Sequence, residues 1–304
     1  MRSYLIRLQK DLLKNKAIYF MLLPVLAYYL IFQYGPMYGL QIAFKDFIPA
    51  KGFLGSPWVG FKHFEDFFGS VYFGRILKNT LLLSLYSLVF FFPTGIIFAL
   101  LLNEIKGRIF RKAVQTISYM PHFISMVVIV GMMFDFLARD GLVNNIIAMF
   151  GLEPVSFMRS PGWFRTTYIS SEIWQNIGWS SIVYLAAISS INPSLYEAAR
   201  MDGASRWKQM WHVTLPGIMP TVTIMFILFI GKFMTVGFEK IILMYNPVIY
   251  ETADVIQTFV YRKGILEANY SYSAAVGLFN AAISFTLLIG ANMTAKRLGE
   301  TKLW

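Results

Sequence analysis

Residues 79–103 read NTLLLSLYSLVFFFPTGIIFALLLN, 25 residues without a Lys, Arg, Asp or Glu. A helix that crosses a bilayer needs about 20 apolar residues. A helix packed on a soluble core shows a charge on its wet face within a few turns. The run therefore reads as a membrane span. Five further charge-free windows, 17–44, 113–134, 173–196, 209–231 and 268–295, are each at least 22 residues long. Across all 304 residues, apolar types make up 57% and charged types 14%, against roughly 25% charged in ordinary globular domains. The expectation is an all-α polytopic membrane protein with six transmembrane helices, near 17–33, 77–102, 114–136, 166–188, 218–242 and 273–295.

The net charge of +11 would suit a nucleic-acid binder, but its distribution argues for topology. With the N-terminus placed inside, the cytoplasmic parts 1–16, 104–112, 191–216 and 296–304 hold 15 Lys and Arg against 5 Asp and Glu. The longer external loops 34–75, 137–165 and 239–272 hold only 10 Lys and Arg. Such a bias is the positive-inside rule, so both termini are expected in the cytoplasm and no nucleic-acid partner is expected. Arg2, Arg7, Lys10, Lys14 and Lys16 precede the first span, and no small-x-small cleavage site closes it. It reads as a signal anchor. Tyr34, Gly35, Pro36 and Gly39 are expected to break it at the outer surface, and Pro93 and Pro121 to kink the second and third spans. The external aromatics Phe47, Trp58, Phe61, Phe64, Phe67, Phe68 and Tyr72 suit either the lipid interface or packing against the spans. With no cysteine, neither a disulfide nor a thiolate metal site can form.

The cytoplasmic segment between spans four and five has a different character. It runs Asn192-Pro193-Ser194-Leu195-Tyr196-Glu197-Ala198-Ala199-Arg200-Met201-Asp202-Gly203-Ala204 and closes on Val213-Thr214-Leu215-Pro216. Pro193 should end span four, and Ser194 with Glu197 forms a capping box. Ala198 and Ala199 give a helix face with little bulk, and Gly203 supplies the left-handed residue that ends the helix. A second helix is expected to stop at Pro216. A short helix with a small-residue face can dock in the groove of a partner, with Glu197 free to meet a basic group. A well-capped connector would look the same.

The joint spacing of Glu197, Ala198, Ala199, Gly203, Val213, Leu215 and Pro216 resembles the cytoplasmic loop signature of type I ATP-binding-cassette importer permeases. Val213 stands where isoleucine is more usual. Val59-Gly60-Phe61-Lys62-His63-Phe64, Asn79-Thr80, Tyr119-Met120-Pro121-His122-Phe123-Ile124-Ser125, Gly237-Phe238-Glu239-Lys240-Ile241, Tyr245-Asn246-Pro247 and Tyr250-Glu251-Thr252-Ala253-Asp254-Val255-Ile256 are similar to maltose-type permeases of the polysaccharide-uptake branch. The resemblance implies a permease core over 76–296, preceded by an N-terminal segment, first span and aromatic loop over 1–75 and followed by a cytoplasmic tail over 297–304. It also implies that Glu197, Ala198, Ala199, Gly203, Leu215 and Pro216 couple the chain to ATPase subunits. The implied partners are a second homologous permease subunit, two ATPases, an extracellular binding protein, a saccharide and membrane lipid, in a bacterial plasma membrane. No cofactor is expected in this chain, ATP and Mg belonging to the ATPases; no phosphate-binding G-x-x-x-x-G-K-[ST] loop is present.

Span four carries a polar stripe. Glu172, Gln175, Asn176 and Trp179 fall on one helix face, which lipid would penalise. They suit a saccharide's hydroxyls and C–H faces, or they glue helices together. Lys232, expected near the middle of span five, invites an ion pair with Glu172 or Glu239, or an acidic sugar. Phe229, Phe233 and Val236 share its face and would ordinarily pack. His122, Lys232 and Phe233 are assigned with the stripe to the substrate pathway, although a lone His in a span more often bonds between helices. His63 and His212 lie in other compartments, so no metal site and no catalytic residue is expected. A permease for amino acids or peptides, a membrane-embedded enzyme using Glu172 or Glu239, and a structural scaffold are the competing readings.

Overall fold

The computed structural model describes residues 14–297. The basic residues Arg2, Arg7 and Lys10 and all of the expected tail except Arg297 lie outside them. Regular structure among the described residues is helical, apart from one isolated bridge between Lys45 and Trp58. Four helices are long and apolar enough to cross a membrane: α1 (Lys16–Phe44), α3 (Phe73–Glu104), α9 (Arg206–Gly231) and α12 (Tyr270–Arg297). A bent pair, α4 (Arg108–Phe123) and α5 (Met126–Phe136), makes a fifth if taken as one span. Between and around these lie α2 (Lys62–Phe68), α6 (Leu142–Met149), α7 (Pro161–Ser189), α8 (Pro193–Met201), α10 (Phe238–Met244) and α11 (Ile256–Tyr261). At 29 residues α7 is as long as α1, but its Ser, Glu, Gln and Asn content keeps it out of the apolar set.

Pro121 bends its span as expected, whereas Pro36 and Pro216 act differently from expectation. Pro36 does not end α1: Gly35 is helical (φ −53°) and the helix continues to Phe44. A π-helical turn, Tyr29–Tyr34, comes just before Pro36. The same device recurs at Ser87–Phe91 before Pro93 and at Met210–Thr214 before Pro216. Each wide turn inserts a residue, so the ring meets a displaced carbonyl and the missing N–H leaves the ladder unbroken. Pro216 accordingly starts the straight part of α9 rather than terminating a separate helix. Only Pro121 breaks a span outright, with a bend of 101° between α4 and α5. Ser125 restarts the chain there, its Oγ accepting from the Val128 N–H at 3.5 Å.

Two compact units result. The first joins the chain up to Phe67 with Lys263–Leu278. Its centre is aromatic: the Phe44 ring meets Trp58, Phe61 and Phe64 at 5.9, 5.4 and 5.4 Å. Ser271 Oγ accepts from the Phe47 N–H at 2.9 Å, and no residue over Lys16–Tyr34 is buried.

The second unit holds Phe68–Arg262 and the stretch from Phe279 onward. Helix α7 is its axle, packed chiefly along α3, then α4 and α9. Small residues set the approach. A Cβ on Gly178 would strike the Ser118 carbonyl of α4, and one on Gly95 would lie 2.6 Å from Ser180 Oγ. Around one end of α7 the core is Leu83, Ile129, Phe164, Tyr168, Ile241 and Met244; around the other it is Ala99, Tyr184, Ile188 and Ile218.

Candidate functional site

Helix α8 begins with Asn192 as its N-cap, the Oδ1 accepting from the Ser194 N–H at 3.0 Å, and Pro193 at the first helical position. Ser194 therefore lies inside the helix and the expected capping box does not form. Proline needs no donor at that position, and asparagine caps as well as serine. The other end is a Schellman closure: Ala204 N–H to Ala199 O at 2.8 Å and Gly203 N–H to Arg200 O at 3.0 Å, with Gly203 at φ +73°. No residue of α8 is buried. Glu197 and Ala198 are exposed, Ala199 half-buried, and Glu197 makes no ion pair among the described residues.

This peg is tied to the base of α9. Tyr196 Oη and the buried Thr214 Oγ1 share a hydrogen bond of 2.9 Å. Arg206 reaches Glu104, at the end of α3, at 3.5 Å. Leu215 is half-buried and Pro216 exposed beside them. The groups surround a polar cavity of about 400 Å³.

The stripe lies midway along α7. Glu172 Oε2 accepts from Ser87 Oγ at 3.0 Å. Asn176 Nδ2 donates to the Glu172 carbonyl at 3.3 Å, and its Oδ1 accepts from His122 Nδ1 at 2.9 Å. The His122 and Trp179 rings stack at 4.3 Å and 4°, and Phe123 meets Trp179 edge-on at 5.7 Å. Gln175 is buried, its Oε1 without a partner. Helix α7 and the broken span thus bring His122, Glu172, Asn176 and Trp179 together as a platform of amide, carboxylate and stacked rings.

Lys232 is not part of it. Helix α9 stops at Gly231 and Lys232 is its exposed C-cap. The stretch 232–237 is non-helical up to Gly237, so the face shared by Phe229, Phe233 and Val236 does not exist and Glu239 belongs to another helix. Phe233 is half-buried, its carbonyl accepting from Ser84 Oγ. The cation opposite Glu172 is Lys240 instead. It is 3% exposed, donates from Nζ to the Tyr168 carbonyl at 3.3 Å and lies 5.1 Å from the Tyr168 ring. The signal for this exchange was the pair Gly231 and Gly237. Gly237 fits only because a Cβ there would lie 2.7 Å from Tyr168 Oη.

A second polar cluster holds the segment 245–262. Asp254, fully buried, pairs with Arg262 at 2.8 Å and Arg75 at 3.5 Å. Its Oδ1 accepts from Tyr245 Oη at 3.0 Å and from Thr258 Oγ1 at 3.1 Å. Burial, followed by the Asp254 charge, pushes the Tyr245 hydroxyl upward, so it remains a donor. Asn79 Nδ2 bonds the Glu251 and Asp254 carbonyls at 2.9 and 3.1 Å.

A family model described as the binding-protein-dependent transport system inner membrane component matches residues 91–299. The chain belongs to that family. The matched part of this inner-membrane permease contains the peg, the stripe of α7 and the Asp254 cluster apart from Arg75 and Asn79. The permease is 46% identical over 299 residues to the polygalacturonan/rhamnogalacturonan transport system permease protein YteP of Bacillus subtilis, over 98% of this chain and 93% of that protein. Two crystal structures are similar to it. One, of a bacterial ABC transporter involved in the import of the acidic polysaccharide alginate, matches with a TM-score of 0.89 and 48% identity, over 96% of this chain and 99% of that one. The other, of the alginate ABC transporter in complex with an alginate pentasaccharide-bound periplasmic protein, gives 0.91 and 47%, over 98% and 100%.

Proposed function

We propose that this permease is one membrane subunit of an ATP-driven importer that moves an oligosaccharide, handed over by an extracellular binding protein, by alternating access. Two partner ATPases supply ATP and Mg chemistry, a second related permease completes the cavity, and this chain makes or breaks no covalent bond. The spans are α1, α3, the broken α4 and α5, α7, α9 and α12, with both termini in the cytoplasm. The permease core is 76–296, after a first span and aromatic segment over 1–75 and before a tail over 297–304. A stripe that lipid would reject, ending on a stacked His122–Trp179 pair, supports a solute path through α7.

The observation that carries the reading is α8: a helix capped at both ends, with no buried residue and an unpaired Glu197. It is shaped to be gripped by another polypeptide, and Glu197, Ala198, Ala199, Gly203, Leu215 and Pro216 are assigned to that grip. Glu197→Lys in the assembled importer should leave the permease in the membrane, stop saccharide uptake and remove substrate stimulation of ATP hydrolysis. Unchanged uptake refutes the assignment.

A further inference from the structure

Arg165 extends the stripe of α7. It lies seven residues before Glu172 and fourteen before Trp179, which is the same helix face, about 10 Å further from the peg than Glu172. Its guanidinium has no carboxylate partner among the described residues. Arg75 and Arg262 are both taken by Asp254; Arg165 is held by an amide instead. Its Nη2 donates to Asn79 Oδ1 at 2.9 Å. Asn79 is 2% exposed and fixed by two backbone carbonyls. The cation is thus oriented without being neutralised. It lines a cavity of about 420 Å³ together with the rings of Tyr86 and Phe90 and the hydroxyl-bearing Thr166 and Ser170.

We infer that this cavity is a subsite for a carboxylate-bearing sugar unit, with Arg165 as the carboxylate's partner. An ion-unpaired guanidinium offers a planar fork to a carboxylate. Tyr86 and Phe90 offer flat faces to the pyranose, Thr166 offers a hydroxyl, and Ser170 Oγ, which donates to the Thr166 carbonyl at 2.7 Å, offers an acceptor. Glu172, the next charge along the stripe, lies seven residues and about 10 Å further along α7. The subsite rests on the saccharide-import reading and narrows it to acidic chains.

The test uses the complete importer in proteoliposomes, with galacturonate pentasaccharide and its methyl ester each supplied at levels that saturate the binding protein. Wild type should take up the acid faster than the ester by roughly tenfold, the scale of one charge-assisted hydrogen bond. Arg165→Gln should bring the ratio near one by slowing the acid, and Arg165→Lys should keep most of the preference. A ratio left unchanged by Arg165→Gln, or equal slowing of both chains, overturns the subsite. Wild-type vesicles that take up neither chain refute the saccharide reading itself, and the subsite with it.

Discussion

Replacing Asp254 by alanine leaves Arg262 facing a void with its charge uncompensated. Arg262 is 20% exposed and lies 2.8 Å from a carboxylate that is fully buried, so water replaces the lost partner only in part. Removing one member of such a pair costs about 3–5 kcal/mol. The contact to Arg75, longer and 37% exposed on the arginine side, adds little by comparison. The penalty should appear locally, because the same carboxylate accepts from Tyr245 and Thr258 and so closes the segment 245–262. Native-state hydrogen exchange of the assembled permease reads it directly. The Val255 and Ile256 amides, now bonded to Thr258 Oγ1 and Thr80 Oγ1 at 3.0 Å each, should exchange about two to four powers of ten faster. Peptides from α12 should not change. Because the cost is an orphaned charge, Asp254→Ala with Arg262→Met should recover at least half of the lost protection. Acceleration below threefold in the single variant, or no recovery in the double, refutes the electrostatic account.

Gly178→Ala should lower the thermal stability of the purified complex, since the α4 backbone cannot yield and overpacking costs about 1–3 kcal/mol; Gly131→Ala, where a Cβ meets nothing within 4 Å, should not. Equal melting of the two variants defeats the close-contact explanation. Gly203→Ala, at φ +73°, carries a left-handed penalty of about 1–2 kcal/mol, so amides over 193–204 should exchange about five- to thirtyfold faster; unaltered protection argues against the Schellman closure. His122→Ala removes a ring stack and a hydrogen bond to Asn176, together about 1–3 kcal/mol, and should slow uptake about tenfold or more. His122→Phe should restore the stack but not the hydrogen bond, and full activity in the alanine variant removes His122 from the path.

The apolar windows made the membrane class plain because charge is so costly in hydrocarbon that its absence can be read directly. The peg was legible for a related reason: a cap, two alanines and a glycine act over neighbouring residues, and Gly203 adopts the left-handed conformation its place required. Ser194 was misjudged because Asn192 and Pro193 offered an equally good start two residues earlier. Pro121 was legible as a kink, but Pro36 and Pro216 were misread as breaks. A π-helical turn costs one residue of register and has no side-chain signature, so Pro36 and Pro216 sit in continuous helices. The exchange of Lys232 for Lys240 needed tertiary information: whether the chain runs straight past Gly231 depends on Ser84 and Tyr168, far away in sequence. Arg165 escaped notice because it looks ordinary alone, and only folding places it against the amide of Asn79.

The interruption between Gly231 and Gly237 has a mechanical meaning. Two hydroxyls complete what the next helical turn would have done: Ser84 bonds the Phe233 carbonyl, and Tyr168 accepts from the Gly237 N–H at 3.1 Å. The polypeptide is spliced there into α3 and α7, so these three strands of the machine are obliged to travel as one block. Any rocking of the subunit has to bend elsewhere, and the fracture between α4 and α5 is where the backbone already yields.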